Sequence, residues 1–236
     1  MKALILAAGL GSRLRPLTNN VPKCMVEVNG ISIIDKQIQN LKKNEIIDIY
    51  IVTGYKGEVL SKYIKEKYTD LDITFLHNKD YDKTNNMFSL NMAKNYLDGE
   101  AFIMMNSDVF FESDVIHQLC QNNYNDLIVC ERGNYNDESM KIVVEDDRIT
   151  EISKGIDEEN SYGTSIDVYK FGEDSSKKLF NIIHNYIYVK KDLNSWSEVA
   201  INDLLEIKKV KPLDTRCKWM EIDNLYDLEI AKKIFK

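Results

Sequence analysis

Short apolar runs alternate with amphipathic stretches through the first half of the chain. The runs Ala3 to Leu6, Ile46 to Val52, Asp72 to His77 and Ala101 to Met105 are typical of strands in a buried parallel sheet. A stretch with helical spacing of its apolar residues follows most of them, as in Ile34 to Leu41. This alternation predicts an α/β fold with a doubly wound, mostly parallel sheet, whose ligands bind at the carboxyl ends of the strands.

The pattern changes after residue 139. Met140 to Val144 and Ile149 to Ser153 flank a polar turn and predict a β-hairpin, and Ser165 to Tyr169 predicts a further antiparallel strand. The remaining predicted elements are helices at about 173–190 and 196–207, a strand near 219–222 and a C-terminal helix. We therefore expect a small antiparallel extension beside the parallel sheet.

Length and composition favour a single domain. The 236 residues, 44% of them apolar, can bury one large core. We expect one domain over 1–236, with its core at about 1–130 and 209–236 and an elaboration at about 131–208.

Charge and cysteine content exclude several partners. A net charge of −7 argues against a nucleic-acid surface. The sequence contains no run of eighteen apolar residues, so we do not expect membrane insertion. Four scattered cysteines without a Cys-x-x-Cys pair are typical of a reduced, cytoplasmic protein. A homodimer is compatible with the sequence, which does not fix the oligomeric state.

The most informative stretch is the loop that follows the first predicted strand. Gly9 and Gly11 let the backbone approach a ligand and turn N–H groups toward an anion. Arg13, Arg15 and Lys23 add three cations, which suits a polyphosphate. A glycine-rich turn between a strand and a helix would explain the glycines but not the cations.

Two familiar phosphate loops do not match. A Walker loop needs Gly-Lys-Ser/Thr where the chain has Leu14, and the dinucleotide fingerprint needs a small residue at the same position. The order Leu-Ala-Ala-Gly, Gly-Ser-Arg, Pro-Leu-Thr and Pro-Lys over residues 6–23 instead matches the pattern of the sugar-nucleotide and cytidylyl transferases.

Two aspartates and one lysine are placed to work with such a loop. Asp108 and Asp223 each follow a predicted strand, where carboxylates can hold Mg²⁺ against nucleotide phosphates. Helix N-caps are the alternative interpretation for both. Lys154 ends the hairpin and is placed either to bind a second, acceptor phosphate or to lie in solvent.

The chain resembles the bacterial phosphocholine and phosphonate cytidylyltransferases, a branch of the nucleotidyltransferase superfamily with a Rossmann-like doubly wound fold. Within that branch it most resembles the glutamine-phosphate cytidylyltransferases of capsular phosphoramidate synthesis. The motifs that carry the resemblance are the loop at 4–23, Thr84 to Ser89, Asn106-Ser107-Asp108, Ser139-Met140-Lys141 leading to Ile152-Ser153-Lys154, and Glu221-Ile222-Asp223.

The resemblance implies a role for each matched position. CTP would bind to Leu6, Ala7, Ala8, Gly9, Gly11, Ser12, Arg13, Lys23, Tyr81, Asn85, Asn86, Ser89 and Asp108. Mg²⁺ would be held by Asp108 and Asp223, and the catalytic side chains would be Arg13, Lys23 and Lys154. An acceptor phosphate or phosphonate, already anionic, would attack the α-phosphorus in line without a general base, and pyrophosphate would leave.

The acceptor is the open question. Arg132 is a candidate for an acceptor carboxylate and Glu198 for an acceptor ammonium, although an exposed helix glutamate is the alternative for Glu198. A choline group would favour an aromatic cage, for which the candidates are Tyr81, Tyr135, Tyr162, Trp196 and Trp219. Glutamine phosphate is favoured, followed by phosphocholine and 2-aminoethylphosphonate.

Two other functions remain open at this stage. A sugar-1-phosphate nucleotidyltransferase is the alternative in the same class, although the paired asparagines Asn85 and Asn86 weigh against it. A catalytically silent, nucleotide-sensing regulatory protein is the alternative in another class. Retention of Arg13, Lys23 and both aspartates argues against loss of activity.

Overall fold

A nine-stranded mixed sheet forms the centre of the computed structural model, which describes residues 1–133, 135 and 138–236. The strands in chain order are β1 (Lys2–Ala7), β2 (Glu27–Val28), β3 (Ile31–Ser32), β4 (Asp48–Thr53), β5 (Asp72–His77), β6 (Phe102–Asn106), β7 (Val109–Phe111), β8 (Leu127–Glu131), β9 (Lys141–Glu145), β10 (Arg148–Ser153), β11 (Gly163–Phe171), β12 (Lys211–Asp214) and β13 (Trp219–Glu221). The helices are α1 (Ile33–Lys43), α2 (Gly57–Lys67), α3 (Asn86–Met92), α4 (Lys94–Leu97), α5 (Asp114–Gln121), α6 (Glu173–His184), α7 (Ser197–Ile207) and α8 (Leu225–Ile234).

The predicted parallel core is present in the order β5-β4-β1-β6. Strand β11 runs antiparallel to β6 and continues the sheet toward β8 and β12 on one side and toward the β9–β10 hairpin on the other. The predicted α/β class, with a doubly wound, mostly parallel sheet and an antiparallel extension, is therefore confirmed.

Three apolar clusters pack the helices onto the strands. Because side chains alternate across a strand, Leu4 and Leu6 of β1 face a first cluster with α3, α6 and α7, while Ala3 and Ile5 face a second cluster with α1, α2 and α5. A third, smaller cluster around Ile222 joins α8 to β2 and β13. None of the helices in the described ranges combines the length and the apolarity needed to cross a membrane.

Some elements occur where they were predicted but differ in pairing or in helix type, and two short strands were not predicted. The predicted last strand is β13, but it pairs with β7 in a separate two-stranded sheet. Strand β7 has only three residues and β12 contains Pro212, so neither shows a recognisable period. The predicted helix at 173–190 ends at His184 and widens into a π-helical turn over Asn185–Val189, where aromatic and β-branched residues have low helix propensity.

Asp35 ties α1 to α2 beneath the second cluster. Its carboxylate accepts hydrogen bonds from the hydroxyls of Ser32 (2.7 Å), Tyr63 (2.6 Å) and Tyr68 (2.7 Å) and from Lys67 Nζ (2.9 Å). Burial alone would raise the pKa of Asp35, but these hydrogen bonds outweigh it and hold the pKa below its usual value.

We expect Asp35→Asn to lower the free energy of unfolding at pH 7 by about 3 kcal/mol, because buried donors lose a charged acceptor. Urea unfolding monitored by circular dichroism measures this loss. A carboxyl whose pKa is depressed stabilises the fold above its unfolded pKa, and that contribution disappears as the pH falls through the folded pKa.

The difference between Asp35→Asn and the parent should therefore shrink below about pH 4. A difference of equal size at pH 3 and pH 7 would contradict the charged role of Asp35. Asp70→Asn is the matched control, since Asp70 pairs with Lys42 on the exposed surface and should change stability little.

Candidate active site

A cavity of about 380 Å³ opens at the carboxyl edge of the parallel strands. The predicted site residues that line it are Leu6, Ala7, Ala8, Gly9, Arg13, Lys23, Tyr81, Asn85, Asn86, Ser89, Asp108, Lys154, Glu198 and Asp223. Gly11, Ser12 and Arg132 do not line it. One cavity therefore joins residues from the first loop, from the ends of β6 and β13, and from the hairpin and α7.

The loop after β1 is shaped by a close approach at Gly11. This residue has φ +60°, and a Cβ added there would lie 2.8 Å from Lys23 Cβ. The Thr18 hydroxyl donates to the Gly11 carbonyl at 2.8 Å and fixes the same turn. Around Gly9, by contrast, nothing lies within 4 Å of an added Cβ, so the loop is open toward the cavity at that point.

Lys23 lies between the two predicted metal ligands. Its Nζ donates to Asp108 Oδ2 at 2.9 Å and also to Asp223 Oδ1, while Arg13 bonds Asp223 Oδ2 at 2.6 Å. Burial opposes the charge on Lys23, but the two carboxylates outweigh it and raise the pKa of Lys23 above its usual value. Burial would raise the pKa of Asp223, yet Lys23 and Arg13 hold it below the usual value.

One atom of Asp108 is left for another partner. Its Oδ1 is buried and has no hydrogen-bond partner within the described ranges. One carboxylate oxygen each of Asp108, Asp167 and Glu221 lies within 4.8 Å of the others. Burial, followed by neighbouring carboxylates, raises the pKa of Glu221 to about 9 and that of Asp167 to about 7. A divalent cation with a preference for oxygen ligands fits this donor set.

Asp223 is not one of these three residues. Both of its oxygens are engaged by Lys23 and Arg13 in this structure. The predicted pairing of Asp108 with Asp223 therefore stays a prediction, with Lys23 as the group that now separates them.

Helix α1 positions the turn that carries Asp108. Gln37 is fully buried, and its Nε2 donates to the carbonyls of Asn106 (2.8 Å) and Val109 (2.9 Å), on both sides of Asp108. The Ile222 amide donates to the Asp108 carbonyl at 2.9 Å and connects this turn to β13. Nothing in the sequence indicated that Gln37 would hold the turn around Asp108.

The hairpin lysine lines the same cavity and is held by an ion pair. Lys154 Nζ pairs with Glu138 at 2.7 Å and lies 5.0 Å from the ring centroid of Trp196. Buried Lys141 donates to the Lys154 carbonyl at 2.9 Å. This bond joins the Met-Lys and Ser-Lys motifs of the hairpin and fixes the backbone at Lys154.

Glu198 is buried rather than an exposed helix residue. It is only 5% exposed and accepts hydrogen bonds from Tyr169 (3.1 Å), Ser197 (3.2 Å) and Asn86. Burial raises its pKa. The alternative interpretation of Glu198 as a solvated side chain is therefore wrong.

The paired asparagines connect the two sides of the cavity. Asn85 donates to the Asn194 carbonyl at 3.0 Å, and Asn86 accepts from the Ser197 amide at 2.7 Å. Their side chains thus fix the segment that leads into α7. Nucleotide contacts remain the prediction for both residues.

Arg132 lies on the surface outside the cavity. Its Nε pairs with Asp214 at 2.9 Å, and its guanidinium stacks 4.2 Å from the ring centroid of Tyr162. The predicted acceptor contact of Arg132 has no geometric support. Of the five candidates for an aromatic cage, Tyr81 and Trp196 line the cavity, whereas Tyr135, Tyr162 and Trp219 do not.

Sequence reasoning did not consider Asp167, named Glu221 in a motif without giving it a role, and considered Trp196 only as a candidate for an aromatic cage. All three line the cavity. Asp167 stands between buried Ile166 and Val168, and an acidic residue inside an apolar strand was the available signal.

The fold and the cavity together define a class of protein: an enzyme that acts on the phosphates of a nucleotide. The glycine loop, the cations and the carboxylates converge where doubly wound sheets bind nucleotides. Comparison with known proteins narrows this class: a profile described as nucleotidyl transferase matches residues 2–148, and the chain belongs to that family.

Named relatives agree with this assignment. The chain is 30% identical to the CTP:phosphoglutamine cytidylyltransferase of Campylobacter jejuni over 98% of each sequence. It is 40% identical to the choline-phosphate cytidylyltransferase of Streptococcus pneumoniae over 52% of each. A solved structure of CTP:phosphocholine cytidylyltransferase from Streptococcus pneumoniae superposes with a TM-score of 0.82 at 27% identity, covering 100% of this chain and 99% of the other.

We expect Gln37→Glu to loosen the turn around Asp108, because an acceptor then replaces the amide that donates to two carbonyls. The free energy of unfolding should fall by about 2 kcal/mol, and amide hydrogen exchange should accelerate over residues 106–111. Exchange in α2 serves as the internal reference. A folded variant with unchanged exchange over 106–111 would show that Gln37 does not hold this turn.

Proposed function

We propose that the protein is an Mg²⁺-dependent cytidylyltransferase that transfers CMP from CTP to the phosphate or phosphonate of a small amino compound. Glutamine phosphate is the favoured acceptor, followed by phosphocholine and 2-aminoethylphosphonate. Pyrophosphate is the second product. The nucleotide-activated product would supply a group for decoration of a surface polysaccharide.

The observation that carries this proposal is that one cavity collects cationic side chains from two distant segments of the chain. Arg13 and Lys23 lie with the glycine loop, and Lys154 lies with the hairpin. A transfer between two phosphorylated molecules needs a site for each anion. The CTP-using relatives support cytidine as the base, and their phosphorylated acceptors support the second anion.

The chain's own residues would act by position and charge. Lys23 and Arg13 would break their ion pairs with Asp223 and bind the triphosphate instead. There they would neutralise the charge of the departing pyrophosphate. Lys154 would exchange Glu138 for the acceptor and direct an anionic oxygen at the α-phosphorus. No residue has to remove a proton, because the acceptor oxygen is already ionised at pH 7.

The metal would be held by Asp108 together with Asp223. The unpartnered Oδ1 of Asp108 is the observation that supports a cation there. Mg²⁺ bound at these carboxylates would neutralise phosphate charge during the transfer.

A matrix of substrates tests the proposal. Pyrophosphate release is measured for the four ribonucleotides and dTTP against glutamine phosphate, phosphocholine, 2-aminoethylphosphonate and several sugar-1-phosphates. We expect turnover with CTP and one of the amino compounds. Preference for UTP or dTTP with a sugar phosphate would favour the sugar-1-phosphate alternative, and silence throughout would favour a regulatory protein.

We expect Arg13→Ala and Asp108→Ala each to lower turnover by about a thousandfold while the fold stays intact, because each removes charge compensation from the reacting phosphates. Steady-state rates at saturating Mg²⁺ and circular dichroism measure the two effects. Arg15→Ala is the matched control, since this exposed arginine of the same loop does not line the cavity. A near-normal rate in either test variant would remove that residue from the mechanism.

A further inference from the structure

The outer edge of the sheet is bonded by a side chain of α7. Strand β10 is the end member of the order β10-β9-β11, so within the described ranges no strand pairs with its outer edge. Asn202 of α7 lies against that edge. Its Oδ1 accepts a hydrogen bond from the Ile152 amide at 2.8 Å, and its Nδ2 donates to the Ile152 carbonyl at 2.8 Å. One side-chain amide thus bonds both backbone groups that a neighbouring strand would otherwise bond.

The strand held in this way leads directly to Lys154. Ile152 lies two residues before Lys154 in the chain. Buried Lys141 of β9 donates to the Lys154 carbonyl at 2.9 Å. The backbone at Lys154 is therefore fixed by β9 and, through Ile152, by α7, while the Lys154 side chain lines the cavity.

Two contacts between the hairpin and the segment of α7 match in spacing. Asn202 bonds Ile152, and Trp196, the residue before α7, has the Lys154 ammonium 5.0 Å from its ring centroid. Trp196 and Asn202 are separated by about 9 Å along the helix, and Ile152 and Lys154 by about 7 Å along the strand. Because the two spacings are similar, both contacts form together when β10 and α7 lie in this register.

Apolar packing alone does not fix that register. Ile149 and Ile152 of β10 share the first cluster with Ala200 and Ile201 of α7. Burial of apolar surface is not directional, so these contacts tolerate a small displacement of one element along the other. Hydrogen bonds weaken steeply with distance and angle. Asn202 therefore supplies a directional contact between the two elements.

We infer that Asn202 is a positioning residue: it fixes the register between β10 and α7 and thereby holds the Lys154 ammonium beside Trp196. The role of Lys154 toward the acceptor phosphate rests on the proposed function. The position of Lys154 does not rest on it, so this position can be tested without turnover.

Fluorine NMR of the full chain labelled with 5-fluorotryptophan tests the position of Lys154. The chain has two tryptophans, and Trp219→Phe assigns their resonances. Asn202→Leu keeps a similar side-chain size but loses both hydrogen bonds to Ile152. We expect this variant to shift the Trp196 resonance and to leave the Trp219 resonance in place.

A comparison of single and double variants shows whether Asn202 acts through Lys154. Lys154→Met removes the ammonium beside Trp196 and should itself shift the Trp196 resonance. In the Lys154→Met background, we expect Asn202→Leu to add less than about half of the shift that it causes in the parent, because the contact is already lost. Glu206→Leu, at an exposed position of the same helix, is the matched control and should leave both resonances in place.

Steady-state kinetics measure the consequence for the reaction. Pyrophosphate release is followed with CTP and Mg²⁺ against glutamine phosphate, phosphocholine and 2-aminoethylphosphonate. We expect Asn202→Leu to raise the KM for the acceptor by roughly tenfold, because two hydrogen bonds that position Lys154 are lost, and to change the KM for CTP by less than about twofold. A merely structural role would not separate the two Michaelis constants.

Three results would overturn the inference and leave the transfer reaction standing. The first is a folded Asn202→Leu variant whose Trp196 resonance stays in place. The second is a shift of equal size in the parent and in the Lys154→Met background, which would mean that Asn202 affects Trp196 without Lys154. The third is an equal rise of both Michaelis constants. Absence of pyrophosphate release by the parent with every acceptor would instead reject the proposed function, while the NMR comparison would still decide the position of Lys154.

If Asn202→Leu does not fold by circular dichroism, Asn202→Asp replaces it in both backgrounds. This variant keeps the size of the side chain and an acceptor for the Ile152 amide, but it sets a carboxylate against the Ile152 carbonyl. A shift of the Trp196 resonance that depends on Lys154 supports the inference. A resonance that stays in place overturns it.

Discussion

The ammonium of Lys23 is the interaction on which the two sides of the nucleotide site depend. It brings together Asp108, at the end of the large sheet, and Asp223, at the end of the small one. Without it, two carboxylates from different sheets would repel each other across a partly buried gap. Gly11 makes this contact possible by leaving room for the lysine stem. Direct ion pairs therefore hold these three side chains together.

Much of the fold was predictable because its central strands are buried on both faces. That burial produces the continuous apolar runs of β1, β4 and β6, and the helices between them show their own period. Strands β7 and β12 were missed because neither has enough residues or a clear pattern. The shared edge of Asp108 and Asp223 was predicted, but the pairing of β7 with β13 that creates it was not.

Some residues of the candidate site were predictable from the sequence and others were not. Residues within one motif, such as Gly9, Arg13 and Lys23, were predictable because a phosphate cradle has a local signature. Contacts between distant segments were not, since no local pattern places Asp167 beside Glu198. Arg132 was predicted to contact the acceptor because of its residue type, but it pairs with Asp214 at the end of β12. Cavity residues were thus easier to predict within one motif than where distant segments of the chain meet.

The apolar clusters beneath the cavity differ from one side to the other. Helix α7 and the hairpin rest on the first cluster, whereas Ile222 and Cys24, neighbours of Asp223 and Lys23, belong to the third and second. Substitutions in separate clusters tend to have additive effects on stability. The side of the cavity formed by α7 and the hairpin can therefore change while the packing that supports Lys23 and Asp223 is kept.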